Sequence, residues 1–183
     1  SAYSSISGYV ENADNEKNVM DSSEGLSVNG RAVVYSEGAQ KTYIKLSLEN
    51  YNNENASFSF KTNDGDKGNL LIYGLCDKDE CENWSSETIN YLNAPGNDRY
   101  GYGIDTSKAY LNTPLESMEV SGEQTYSIDI SDYASYMKEN GANYITLVFV
   151  NSSVNKKSVF EENFEQTTLK TTVSRSGDPL ITE

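Results

Sequence analysis

The sequence has no histidine, only two cysteines and three prolines, and no long run of apolar residues. Without histidine the usual nucleophilic triads cannot be assembled, and a zinc site lacks both imidazole ligands and a second cysteine pair. The longest apolar stretch, residues 145–150, is interrupted by Thr146, whereas a membrane-spanning helix needs about 20 apolar residues. These absences argue against a triad hydrolase, a zinc-dependent domain and insertion into a membrane.

Positive charge is also scarce. Lysine and arginine number 14 against 28 acidic residues, so the net charge is −14. No basic stripe is available to neutralise a phosphate backbone, and polyanions meet a repulsive field. We therefore expect no nucleic-acid partner, and neutral glycans, cations such as Ca²⁺ and basic protein surfaces remain as partners.

The abundance of carboxylates leaves one enzyme class to consider, because a glycosidase needs only two of them. Here the acidic residues are scattered over predicted turns, which is typical of a solvated surface. A compact domain of this size also leaves little material for a deep cleft. We predict a non-catalytic protein.

What the sequence does contain favours β-structure. There are 14 tyrosines, together with many serines, threonines and asparagines, as in solvated antiparallel sheets and their turns. The length of 183 residues favours a single domain over 1–183. Alternation of apolar and polar residues, or a short continuous apolar run, predicts strands at 41–48, 56–60, 69–75, 126–130 and 143–150. Weaker strands are predicted at 8–11, 26–28, 32–35, 88–91, 169–173 and 180–182.

One short helix is predicted, capped by Ser131 or Asp132 and ended by Asn140-Gly141. About ten short strands with one helix predict an all-β fold, a two-sheet antiparallel β-sandwich of the jelly-roll kind. The segment 95–122 is rich in glycine and tyrosine and weakly patterned, so we predict a surface loop there, either functional or decorative. Residues 63–69 predict a polar hairpin turn.

A family resemblance rests mainly on residues 84–95, which read Trp-Ser-Ser-Glu-Thr-Ile-Asn-Tyr-Leu-Asn-Ala-Pro. This stretch resembles the Trp-to-Asn-Ala-Pro segment of the DNRLRE-type domains, a jelly-roll group that includes carbohydrate-binding modules. Residues 41–48, 126–130 and 172–181 resemble other segments of that group, in the same order. The chain departs from the group at Ser176, where Glu is frequent, and at Asn90-Tyr91, where Thr-Trp is more usual.

The resemblance implies a two-sheet jelly roll on secreted or cell-surface bacterial proteins, commonly attached to polysaccharide-degrading enzymes or to adhesion proteins. The ligands of the group vary. No signal peptide stands at the start of the sequence. We expect that any targeting segment has been removed and that the chain is an extracellular domain of a larger secreted protein.

A carbohydrate site needs flat aromatic rings for the apolar faces of sugars and polar side chains for the hydroxyls. The stretch 98–103, Asp-Arg-Tyr-Gly-Tyr-Gly, supplies both, and more follow later in the same predicted loop. The alternative is that these rings pack back on the sheet edge. Trp84 is either a stacking platform or a loop anchor, and we favour the anchor. The candidate carbohydrate-binding residues are Asp98, Arg99, Tyr100, Tyr102, Tyr110 and Trp84.

The two cysteines, Cys76 and Cys81, bracket the acidic residues 77–80. We predict a disulfide between them in an oxidising compartment, and a reduced, unpaired pair is the alternative. Because the loop is short, such a bond gains little closure entropy and would shape the loop more than hold the fold.

No cofactor is required, and a structural Ca²⁺ is the one ion that we consider. Asp14, Asn15 and Glu16 are its weak candidate ligands. The stretch 63–69 lacks the bidentate glutamate that ends an EF-hand loop.

The sequence thus predicts a monomeric, non-catalytic carbohydrate-binding module. Its expected ligand is a neutral polysaccharide, such as starch or a hemicellulose, to which it targets an attached enzyme or cell surface. The alternative is a structural or adhesive spacer of a cell-surface protein, without a sugar site, which contacts the other domains of its parent protein.

Overall fold

A computed structural model of the chain describes residues 3–4, 34–35, 41–49, 51, 55–62, 64–85, 89, 93–98, 103–152, 158–159 and 169–173. Within them the protein is all-β, with two short helices. The strands are β1 (Tyr3–Ser4), β2 (Val34–Tyr35), β3 (Lys41–Ser47), β4 (Asn55–Lys61), β5 (Lys67–Gly74), β6 (Glu116–Ser121), β7 (Thr125–Asp129), β8 (Tyr144–Asn151), β9 (Ser158–Val159) and β10 (Leu169–Val173). The helices are α1 (Lys78–Glu82) and α2 (Ser131–Glu139), and two 3₁₀ turns cover Thr106–Lys108 and Tyr110–Asn112.

The larger sheet is antiparallel and five-stranded, in the order β10-β3-β8-β5-β6. A second sheet has the order β1-β4-β7, in which β4 and β7 are antiparallel and the two residues of β1 run parallel to β4. A third pairs β2 with β9. The chain crosses from the larger sheet to the second and back twice, through β3-β4-β5 and through β6-β7-β8.

Aromatic rings join the two larger sheets. The ring centroid of Phe149 on β8 lies 6.0 Å from that of Phe58 and 5.5 Å from that of Phe60, both on β4. Both contacts are edge-to-face, the arrangement that the ring quadrupole favours. Alternation along β4 predicted that Phe58 and Phe60 share a face, and the structure confirms that this face is buried.

The central strands are buried on both faces. Every residue of β8 from Ile145 to Asn151 is buried, as its continuous apolar run predicted. On β3 the alternating pattern predicted one apolar face, formed by Ile44, Leu46 and Leu48. The opposite face, with Lys41 and Tyr43 among its residues, is buried as well.

This second face of β3 is buried by a covering segment, which we define as the described residues between 76 and 103. The ammonium group of Lys41 donates to Asn97 Oδ1 at 2.6 Å and to the carbonyls of Asp98 and Gly103 at 2.8 and 2.7 Å. Lys45 donates to the carbonyls of Glu82, at 2.7 Å, and Trp84. Buried ammonium groups are tolerated because these acceptors replace water.

Helix α2 begins one residue before the predicted alternatives would place it. Its N-cap is Ile130, so neither Ser131 nor Asp132 caps it. The Ser131 hydroxyl instead bonds the backbone of Ala56 on β4, and Asp129 Oδ1 accepts from the Ser131 amide at 2.9 Å. The predicted end is confirmed, because Asn140 is the C-cap and Gly141 has φ +86°.

Two further local predictions were wrong, and one element was missed. The predicted loop 95–122 contains β6, whose alternation is weak because this strand exposes most of its residues. The turn at 64–65 is present, but the strands that it joins, β4 and β5, lie in different sheets and form no hairpin. Helix α1, which contains Cys81, was not predicted.

The five main strand predictions are confirmed within one or two residues at each end, and 169–173 coincides with β10. The prediction at 32–35 corresponds to β2. In the predicted strand 88–91 only Ile89 is described, and it lies outside the strands. The predictions at 8–11, 26–28 and 180–182 fall outside the described residues.

A substitution at Gly74 tests the packing of α2 against the end of β5. A Cβ atom at Gly74 would stand 2.6 Å from the Tyr133 ring, whereas a Cβ atom at Gly65 meets no heavy atom within 4 Å. We expect Gly74→Ala to lower the free energy of unfolding by about 1–3 kcal/mol, and Gly65→Ala to change it by less than about 0.5 kcal/mol. Urea denaturation of both variants measures this, and equal stabilities would contradict the close approach.

A substitution at Lys41 tests whether its ammonium group holds the covering segment against β3. Lys41→Met keeps much of the side-chain volume but leaves the acceptors of the ammonium group without it. We expect a loss of about 3 kcal/mol in unfolding free energy, as for buried bonds to a charged donor. Lys67→Met, at an exposed position on β5, is the matched control. If both variants unfold at the same denaturant concentration, Lys41 does not hold the segment.

Candidate functional site

The structure describes only part of the predicted carbohydrate site. Arg99, Tyr100 and Tyr102 lie outside the described residues, and so do the candidate calcium ligands Asp14, Asn15 and Glu16. Asp98 and Gly103, on either side of these undescribed residues, are held together. The amide of Asp98 donates to the Gly103 carbonyl at 3.3 Å, and the Lys41 ammonium donates to the carbonyls of both residues.

Trp84 does not offer a stacking platform, because only 6% of its surface is exposed. Its indole Nε1 donates to Thr146 Oγ1 at 2.9 Å, and its ring lies edge-on to Tyr43 with the centroids 6.0 Å apart. The Lys45 ammonium stands 4.8 Å from the ring centroid. The structure therefore gives Trp84 the anchoring role and removes it from the candidate stacking residues.

The predicted disulfide is not formed, because Cys76 and Cys81 are both free thiols. Cys81 lies within α1 and is buried, with Sγ 3.4 Å from the Leu75 carbonyl oxygen and 4.0 Å from Tyr133 Oη. Burial raises the pKa of the Cys81 thiol to about 12. Helix α1, unforeseen from the sequence, places this side chain in the core.

Tyr110 lies in a cluster of three tyrosine rings. Its ring centroid is 5.5 Å from that of Tyr133 and 5.1 Å from that of Tyr136, both tilted. Tyr133 is buried, Tyr110 is half-buried and Tyr136 is 43% exposed. The cluster therefore runs from the core to the surface. Its inner end is fixed, because Tyr133 Oη donates to the Leu75 carbonyl at 2.6 Å.

A cleft of about 280 Å³ opens beside Tyr110. Two chain segments form it, one that begins at Tyr110 and one that joins the end of β7 to the start of α2. Its volume is just below the range of roughly 300–1,000 Å³ that is typical of ligand pockets. The lining residues are Tyr110, Leu111, Thr113, Pro114, Leu115, Asp129, Ile130, Asp132 and Tyr133.

The backbone at the rim of the cleft is unusual. Leu111 and Asn112 have φ values of +57° and +56°, the left-handed conformation that leucine rarely adopts. The Leu111 side chain is also 71% exposed. Left-handed non-glycine residues cluster at binding sites, where the surrounding structure maintains them.

The charged groups at the cleft are carboxylates. Asp129 at the end of β7 and Asp132 at the start of α2 are both exposed. Hydrogen bonds from Ser131, from the hydroxyl first and then from the amide, hold the pKa of Asp129 below its usual value. Among the residues that line the cleft there is no lysine or arginine. The cleft can therefore accept hydrogen bonds from hydroxyl groups beside an aromatic ring.

Two further clefts are larger, and each is lined by a single aromatic residue. One, of about 450 Å³, contains Asp77, Asp79 and Glu80, and its aromatic residue is the anchored Trp84. The other, of about 530 Å³, contains Tyr144, whose ring centroid lies 5.5 Å from the Lys45 ammonium. In the described part of the chain, no three histidine, cysteine or acidic side chains are grouped to hold a metal ion.

Comparison with protein-family models and with curated proteins finds no match to this chain. Among the described residues, no helix is both long enough and apolar enough to cross a membrane. The candidate site consequently rests on the geometry given above.

Of the predicted site residues, Tyr110 is the one that the structure brings into a cleft. Leu111, Asp129, Asp132 and Tyr136 were not predicted. The sequence contained one sign of the tyrosine cluster, because Tyr133 and Tyr136 are one turn apart on a predicted helix. It did not show that Tyr133 packs inward while Tyr136 remains near Tyr110.

The burial of the Cys81 thiol predicts that it resists alkylation in the folded protein. At about pH 8 a thiol with so high a pKa is almost entirely protonated, so we expect iodoacetamide to leave Cys81 unmodified in the native protein. Both cysteines should react in guanidinium chloride, as peptide mass mapping would show. Because the folded-state pKa is raised, the stability contribution of this thiol should fall as the pH rises from about 9 to about 12.

A Cys76→Ser variant serves as the control and should show the same protection of Cys81. Rapid native alkylation of Cys81 would contradict its burial. Recovery of a Cys76–Cys81 disulfide from protein purified without reductant would contradict the free-thiol state.

Proposed function

We propose that this protein is a non-catalytic carbohydrate-binding module whose site is the cleft beside Tyr110. The observation that carries the proposal is that the Tyr110 ring, which packs against the exposed Tyr136 ring, shares this cleft with the carboxylates of Asp129 and Asp132. Aromatic faces cover the C–H faces of sugar rings, and carboxylates accept hydrogen bonds from sugar hydroxyls. The site stands on regular elements and tight turns, so it is largely preformed.

A neutral polysaccharide suits this cleft. The protein carries a net charge of −14, and two carboxylates stand at the rim, so uronic acids and sulfated sugars are repelled. A starch or hemicellulose chain carries no charge and offers many hydroxyl donors. No cofactor is needed for such binding.

A binding role is favoured over catalysis by the state of the carboxylates. A glycosidase requires an acid whose pKa is raised, so that it can protonate the leaving group. Hydrogen bonds lower the pKa of Asp129 instead. An exposed carboxylate whose pKa is lowered serves better as a hydrogen-bond acceptor than as a proton donor.

The architecture supports the same proposal. Phenylalanine rings join the two larger sheets, and the chain alternates between them, as in a two-sheet sandwich of the jelly-roll kind. With the resemblance of residues 84–95 to DNRLRE-type domains, this favours a secreted or cell-surface bacterial protein. We propose that the module is a monomer beside the other domains of its parent protein.

The second candidate is a structural or adhesive spacer without a sugar site. The observation in its favour is that the outer face of β3 is covered and that Trp84 packs inward. On this hypothesis the tyrosine cluster only closes the end of the domain. A Ca²⁺ ion would then contribute to stability rather than to binding.

Isothermal titration of the full chain separates the two candidates. We propose titration with soluble starch, xyloglucan, xylan and mannan, each with and without Ca²⁺. Binding to at least one glycan is expected, and Tyr136→Ala should weaken it about fivefold or more, the loss of one aromatic contact. Tyr136→Phe keeps the ring and should retain most of the affinity.

The Tyr100→Ala/Tyr102→Ala double variant tests the other predicted position. If only this variant abolishes binding, the module function stands but its site lies at 98–103. If the folded wild-type chain binds no glycan, the spacer hypothesis replaces the module.

A further inference from the structure

The two walls of the Tyr110 cleft differ in chemistry. The segment after Tyr110 supplies a largely apolar wall of Leu111, Pro114 and Leu115, in which Thr113 is the one polar side chain. The end of β7 and the start of α2 supply the carboxylates of Asp129 and Asp132. A sugar that presents hydroxyls on all sides would place some of them against the apolar wall. Burial of a hydroxyl without a partner is unfavourable. The cleft therefore matches a ligand with one apolar edge and one hydroxylated edge.

The exposure and backbone conformation of Leu111 indicate where the apolar edge of such a ligand would lie. In the free protein its side chain is 71% exposed and its backbone is left-handed, and both features are unfavourable for leucine. Asn112 has the same backbone conformation, but asparagine adopts it more readily. A ligand that covers Leu111 with an apolar group recovers the exposed area. Leu111 thus indicates where the apolar edge of the ligand lies.

We infer that the unit bound in this cleft is a neutral 6-deoxyhexose, of the fucose or rhamnose type, and this inference rests on the proposed function. Its C6 methyl group lies against Leu111, Pro114 and Leu115. Its ring stacks on Tyr110, and its hydroxyls donate to Asp129 and Asp132. A cleft of about 280 Å³ admits one such unit, so recognition is of a side branch or chain end of the polysaccharide.

The inference is tested with methyl glycosides that differ only at C6. One pair is methyl α-L-fucoside and methyl α-L-galactoside, and the other is methyl α-L-rhamnoside and methyl α-L-mannoside. Chemical-shift titration of the ¹⁵N-labelled full chain measures weak dissociation constants and shows which residues respond. The deoxy member of at least one pair should bind about fourfold tighter or more, the gain from burying one methyl group.

Leu111→Asn is the decisive variant, and Leu111→Met is its matched control. Asparagine tolerates the left-handed backbone, so Leu111→Asn should be at least as stable as the wild type while losing the preference for the deoxy sugar. Leu111→Met keeps an apolar side chain and should retain the preference. Thermal unfolding of each variant reports on the fold independently of binding.

The outcomes distinguish this inference from the proposed function. Equal affinities for both members of each pair would overturn the deoxyhexose assignment, while any saturable binding at Tyr110 would leave the module function in place. A preference that survives in Leu111→Asn would overturn the role of Leu111. If these glycosides and the polysaccharides all fail to bind, the module function falls with the inference.

Discussion

Two buried lysines on β3 determine how the rest of the domain is arranged. Lys41 and Lys45 point away from the apolar face of their strand, and their ammonium groups bind backbone carbonyls of the covering segment. A buried ammonium without acceptors would be strongly unfavourable, and so would these carbonyls without a donor. Each side therefore depends on the other. The result is a second layer over a strand whose outer face would otherwise meet water.

The candidate site is attached at the end of β5. After the covering segment the chain returns to the end of β5, where Leu75 bridges to Ala109 and the Cys76 amide donates to the Lys108 carbonyl at 3.0 Å. These bonds hold the 3₁₀ turn that presents Tyr110. On the other side, Tyr133 ties α2 to Leu75. The two walls of the cleft thus meet at one backbone position, which explains how short turns can form a preformed site.

The sequence was most informative where side chains alternate regularly. The strands around 41–48, 56–60 and 143–150 were predictable because a buried face requires an apolar residue at every second position. The edge strand β6 was not predictable, because it exposes most of its residues and therefore does not require apolar residues at alternate positions. Helix α1 was missed because it is only about a turn and a half long and has no apolar face that repeats along it. It is stabilised instead by the Asp77 side chain, which accepts hydrogen bonds from its first amides.

By itself, the sequence determined the all-β class, the main strands and the strong excess of negative charge, because periodicity and net charge are properties of the chain alone. It also placed Tyr110 among the candidates. Only the tertiary structure decided that Trp84 is an anchor, that Cys81 is a buried thiol, and that Leu111 and Asp129 flank one cleft. Those outcomes depend on which distant segments meet, and a stacking tyrosine and a core tyrosine look the same until their neighbours are known.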